Sequence, residues 1–65
     1  MMNAKEFNRK YSVGSRFIYL TGPAYLGGKV VRTKDIARDF EKSGAIVEIS
    51  LAPFFVKLSS LKPAD

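Results

Sequence analysis

Neither cysteine nor histidine occurs in this chain, and tryptophan is missing as well. Without cysteine there are no disulfides and no thiolate chemistry, and without both residues there is no tetrahedral Cys/His zinc centre. Small secreted domains usually depend on disulfide staples, so their absence favours the cytoplasm. Long apolar runs are also lacking. The longest uncharged stretch, from Phe17 to Gly28, is interrupted by Gly22, Pro23 and Gly27. The first residues, Met1-Met2-Asn3-Ala4-Lys5-Glu6, contain no apolar core of a signal peptide, so neither a leader nor a membrane helix is expected.

What is present suits one small globular domain spanning 1–65. Sixty-five residues, 46% hydrophobic and 26% charged, make one core and not two. So short a chain buries only about 60% of its unfolded surface, which leaves a thin stability margin and gives a dimer or partner interface a reason to exist.

Charge is unevenly spread. Residues 1–34 hold Lys5, Arg9, Lys10, Arg16, Lys29, Arg32 and Lys34 against Glu6 alone. Residues 35–65 hold Arg38, Lys42, Lys57 and Lys62 against Asp35, Asp39, Glu41, Glu48 and Asp65. The net +5 therefore belongs to the first half, which is suited to an anionic partner.

Asn3 to Tyr11 reads as a helix. Asn3 can cap it, Glu6 stands at the third helical position, and Phe7 and Tyr11 share a face. Arg16 to Thr21 is rich in aromatic and β-branched residues and reads as a strand. Residues 22–28 supply Gly and Pro for a turn, and Lys29 to Thr33 returns as the second strand of a hairpin. Ala45–Ser50 and Phe54–Leu58 alternate as a second hairpin, with Glu48 and Lys57 in the same outward phase and placed to pair across it. Ser59-Ser60-Leu61 suits a closing single turn, and 62–65 reads as a frayed tail.

Residues 34–43 are ambiguous. Thr33 can cap, Asp35 suits a first turn, Ile36, Ala37 and Phe40 form a stripe, and Gly44 can stop a helix. A short helix is expected there, with an irregular crossover as the competing assignment. The expected fold is mainly β (α+β): a small SH3-like, partly open barrel of two hairpins with an N-terminal helix and a possible short helix at 34–43.

The motifs with chemical meaning mostly dissolve on inspection. Gly22 and Gly27 have the spacing of a phosphate-binding loop, but Gly28 stands where lysine is needed, and Val30-Val31 follows Lys29. Asp35 and Asp39 could hold a cation, but Arg38 and Lys42 each stand three residues on and make a self-neutralising face. Thr33 to Phe40 resembles the first helix of a helix-turn-helix, yet Glu41 occupies the turn-glycine position, and Ala45–Ile49 and Pro53 oppose a recognition helix. Ser59 and Ser60 lack an activating base, so no enzyme activity, cofactor or metal site is expected.

One constellation remains. Arg16, Lys29 and Arg32 lie on the first hairpin with Phe17, Tyr19 and Tyr25 close by, and Arg9 and Lys10 lie on the helix. Cations that track phosphates beside rings that stack on bases are how small barrels hold single-stranded nucleic acid. The expected DNA- or RNA-binding residues are thus Arg16, Tyr25, Lys29, Arg32, Arg9 and Lys10. The competing expectation is a protein-interaction module, for a homodimer or another protein. Phe17–Leu20 and Ala45–Ile49 carry more apolar side chains, on both faces, than one small sheet can bury.

The runs Val13-Gly14-Ser15-Arg16-Phe17-Ile18-Tyr19 and Gly27-Gly28-Lys29-Val30-Val31-Arg32-Thr33, with Val47-Glu48-Ile49 and Leu58-Ser59-Ser60-Leu61, resemble short proteins of unknown function from temperate phages and prophages. The resemblance spans most of the chain and rests on glycine turns and strand patterns. It implies a cytoplasmic, phage-encoded accessory protein and brings no catalytic residues.

Overall fold

A computed structural model describes residues 3–20 and 28–64. One helix precedes two three-stranded antiparallel sheets, a small α+β fold that is mostly strand. The expected turn at 22–28 falls almost wholly outside the described residues, and Tyr25 does so entirely.

Helix α1 covers Ala4–Lys10. The Asn3 side chain accepts the Glu6 amide at 2.8 Å, which satisfies one of the open N–H groups of the first turn, and Arg9 and Lys10 complement the C-terminal end of the helix dipole. Ala4 and Phe7 face inward. The Phe7 and Tyr11 rings sit 5.1 Å apart, as the i, i+4 spacing requires, and both meet Phe17, at 5.4 and 5.0 Å respectively.

The first sheet contains β1 (Arg16–Tyr19), β2 (Lys29–Arg32) and β6 (Leu61–Pro63), in the order β2-β1-β6. The second contains β3 (Arg38–Phe40), β4 (Gly44–Glu48) and β5 (Phe55–Lys57), in chain order. A 3-10 turn, Leu58–Ser60, links β5 to β6; it starts one residue ahead of the single turn expected at Ser59–Leu61, and Leu61 opens β6. The core lies between the sheets: Phe17, Val31, Val47 and Ile49 are almost wholly buried, and Ala37 and Val56 nearly so.

The sheets join at one corner and do not close into a barrel. Thr33 forms a bridge with Ile49 there, Lys34 N–H donates to Glu48, and Ser50 N–H donates to Arg32. Thr33 is buried. Its N–H donates to Ser15, while its carbonyl and its hydroxyl both accept from Gly14 N–H. No buried side-chain polar atom among the described residues lacks a hydrogen-bond partner, the Thr33 hydroxyl included.

Two expectations fail. Residues 34–43 are not a helix: Arg38–Phe40 is strand β3, paired antiparallel to β4. Tertiary hydrogen bonds outbid a short helix that would have been marginal alone. The Asn8 side chain bonds both the N–H and the C=O of Ala37, Asp39 accepts the Ala4 N–H, and Asp35 turns back on the Ile36 N–H. Gly44 adopts φ +78° at the end of the three-residue β3–β4 loop, so it closes a hairpin instead of stopping a helix. The stripe of Ile36, Ala37 and Phe40 is broken, with Ala37 buried and the other two exposed.

The second failure is the tail. Lys62 and Pro63 belong to strand β6, where Phe17 pairs with Pro63 and Ile18 with Lys62. Proline is tolerated because β6 is an edge strand and can present its N-side away from the ladder. Register corrects a smaller point: Glu48 lies directly opposite Phe55, and Lys57 opposite Ile46, so Glu48 and Lys57 are diagonal neighbours. No helix among the described residues is long and apolar enough to cross a membrane.

Candidate functional site

Residues directly opposite in an antiparallel pair share a face, so the registers map both outer surfaces. On the first sheet, Phe17 and Val31 face the core, which turns Arg16 and Arg32, a directly opposed pair, outward. Ile18 shares this outer face with its partners Val30 and Lys62. Three cations thus surround two aliphatic side chains, and no acid stands on these strands. Arg32 donates to the Gly14 carbonyl at 2.8 Å, which fixes its guanidinium at the sheet end. Beside it, Tyr11, Ser15, Arg16, Arg32, Pro63 and Ala64 line a groove of about 310 Å³.

The basic residues expected from sequence are only partly gathered here. Arg16 and Arg32 come together. Lys29 opposes Tyr19 on the other face of the sheet and lines a separate depression with Leu51 and Ala52. Arg9 and Lys10 are exposed on α1. Tyr25 lies outside the described residues. Sequence reading missed Lys62, hidden in the supposed tail, and the place of Tyr11 beside the arginines. The alternation of Leu61, Lys62 and Pro63 was the available signal.

The second sheet carries a different surface. Val47 and Val56 face the core, so Ile46, Glu48, Phe55 and Lys57 face out, and the β3 register adds Arg38 and Phe40. Three rows result. Glu48 stands beside Phe55, Arg38 and Lys57 flank Ile46, and Phe40 stands beside Gly44. Ile36, just before β3, joins the Glu48–Phe55 corner, and together they rim a dimple of about 50 Å³ over Ile46. Phe55 is 65% exposed, Phe40 51% and Ile36 46%. At ring-sized surfaces that amounts to roughly 300 Å² of apolar area, the scale of the largest patch on a typical monomer. Phe55 shares the outward phase of Lys57, a signal legible in sequence, whereas Phe40 was concealed by the helical reading of 34–43.

No protein-family model, no curated protein and no solved structure matches this chain.

Proposed function

We propose that this chain is a small protein-interaction module that docks through the outer face of its second sheet. One observation carries the reading: two phenylalanines, Phe40 and Phe55, stand about half or more exposed on either side of Ile46 on a regular sheet face. Exposed aromatics around an apolar floor, rimmed by charge, have the composition of an interface centre. The fold supports the role: two antiparallel sheets joined at the Thr33–Ile49 bridge leave the outer face of the second with Phe40 and Phe55 exposed.

A photo-crosslinking residue placed at Phe55, with Val30 on the other sheet as control, tests it in expressing cells. Val30 is comparably exposed, at 56%. Discrete protein adducts at position 55 and none at 30 are expected. No adduct at 55, or equal adducts at both, would end the reading.

A second reading, nucleic-acid binding, is favoured by the direct opposition of Arg16 and Arg32 with Lys62 alongside. Binding to single-stranded DNA or RNA would then weaken steeply with salt, and Lys62→Gln would lower the log–log salt slope by about one. Absence of binding at low salt would remove it.

A further inference from the structure

Building on the interaction reading, we infer that the occupant of the second sheet's outer face is a second copy of this chain, in a two-fold dimer. Charge selects the partner. Arg38 and Lys57 on this face are balanced by Glu48 and by Asp35, which lies 3.8 Å from Arg38. A strongly acidic or basic partner would meet like charges at half of these positions. A copy of the same face need not, and being locally neutral it can be approached by another molecule of net charge +5.

The registers specify how. Take a two-fold axis in the plane of contact, running diagonally through Ile46 from the Ile36 corner. Turning a second copy about it exchanges rows with columns. Phe40 then lies over the partner's Phe55, Arg38 over the partner's Glu48, and Lys57 over the partner's Gly44. Ile46 meets its own counterpart on the axis. Each contact occurs twice, as an isologous interface requires. The strands of the two sheets cross near 90°, the orthogonal mode of sheet packing. Row and column spacings differ by only about 2 Å, a mismatch that aromatic and arginine side chains span. Axes along or across the strands are worse: the first sets Arg38 over Lys57, and the second sets Arg38 and Lys57 each over its own counterpart. The other diagonal pairs Glu48 with Lys57 and leaves Arg38 over Gly44, so sensitivity to Arg38→Glu distinguishes it from the arrangement inferred.

Sedimentation velocity and equilibrium on the purified full chain provide the test, with circular dichroism confirming that each variant is folded. All the altered side chains project outward on a formed sheet. The wild type is expected to show a monomer–dimer equilibrium at micromolar to sub-millimolar concentration, weak because the face is small. Arg38→Glu alone and Glu48→Arg alone are each expected to raise the dissociation constant about tenfold or more, by setting like charges together twice. The double variant restores the pairing with its sense reversed and is expected to return to within about threefold of wild type. A wild type that stays monomeric up to about 1 mM, the top of that range, overturns the dimer. So does a double variant no better than the singles. If the protein is monomeric while position 55 still crosslinks to a different protein, the dimer fails and the interaction module stands; if position 55 gives no adduct, both fall.

Discussion

Asn8 is the residue whose removal tests the packing of helix against sheet most sharply. Its side-chain nitrogen donates to the Ala37 carbonyl at 2.9 Å, and its side-chain oxygen accepts the Ala37 N–H at 2.7 Å. Ala37 is 3% exposed, so water has little access to its backbone once the amide is gone. Asn8→Ala removes two hydrogen bonds worth about 1 kcal/mol each and strands a buried donor and acceptor, for a total of about 2–4 kcal/mol. A domain of this length is stable by only about 3–10 kcal/mol, so the loss is a large share of the whole. At about 4–8 °C per kcal/mol, the melting midpoint is expected to fall by at least about 8 °C, measured by circular dichroism at pH 7. Asn8→Asp sharpens the test. It keeps the acceptor for Ala37 N–H but sets a carboxylate oxygen against the Ala37 carbonyl. The introduced carboxyl prefers its protonated form in the folded state, so its folded pKa is raised. Stability is fully regained below the unfolded value, about 3.9, and lost as pH rises through the folded value. The gap between this variant and wild type should therefore narrow from pH 7 to pH 3.5. A midpoint within about 2 °C of wild type for Asn8→Ala, with no pH-dependent gap for Asn8→Asp, would refute the clamp.

Two other positions give separable outcomes. A Cβ at Gly28 would overlap the backbone carbonyl of Tyr19, so Gly28→Ala must open the hairpin end at the Tyr19–Lys29 pair. A loss of about 1–3 kcal/mol is expected, with faster amide exchange at Tyr19 and Lys29; unchanged exchange would contradict that close approach. Thr33→Val removes the hydroxyl that accepts from Gly14 at the corner, but leaves the Thr33 carbonyl to accept the same N–H. Urea unfolding should show a loss of about 1 kcal/mol at constant m-value, and a loss above about 3 kcal/mol would mean that the hydroxyl has a further role.

Local signals in the sequence read well where local physics decides the structure. The Asn3 cap, the Phe7–Tyr11 face, both hairpins and the Leu58–Ser60 turn follow from spacing and turn chemistry over a few residues. Residues 34–43 were not legible because their helical stripe is locally sound. The structure is decided by Asn8, Asp39 and the β4 ladder, across separations no local pattern reports. Lys62 was lost for the same reason: Leu61–Pro63 is a strand only because β1 is there to pair with it. That error split the basic face, while the helical reading of Phe40 hid half of the aromatic one. Arg16 and Arg32 were joined correctly because the hairpin that opposes them is local.

The central claim is that this protein meets its partner, a second copy, through the outer face of the second sheet. Amide chemical shifts followed by NMR through a dilution series test it residue by residue. Concentration-dependent shifts are expected at Arg38–Phe40, Gly44–Glu48 and Phe55–Lys57, with Arg16, Arg32 and Lys62 unmoved. Shifts confined to the first sheet, or none at all up to about 1 mM, would contradict the claim.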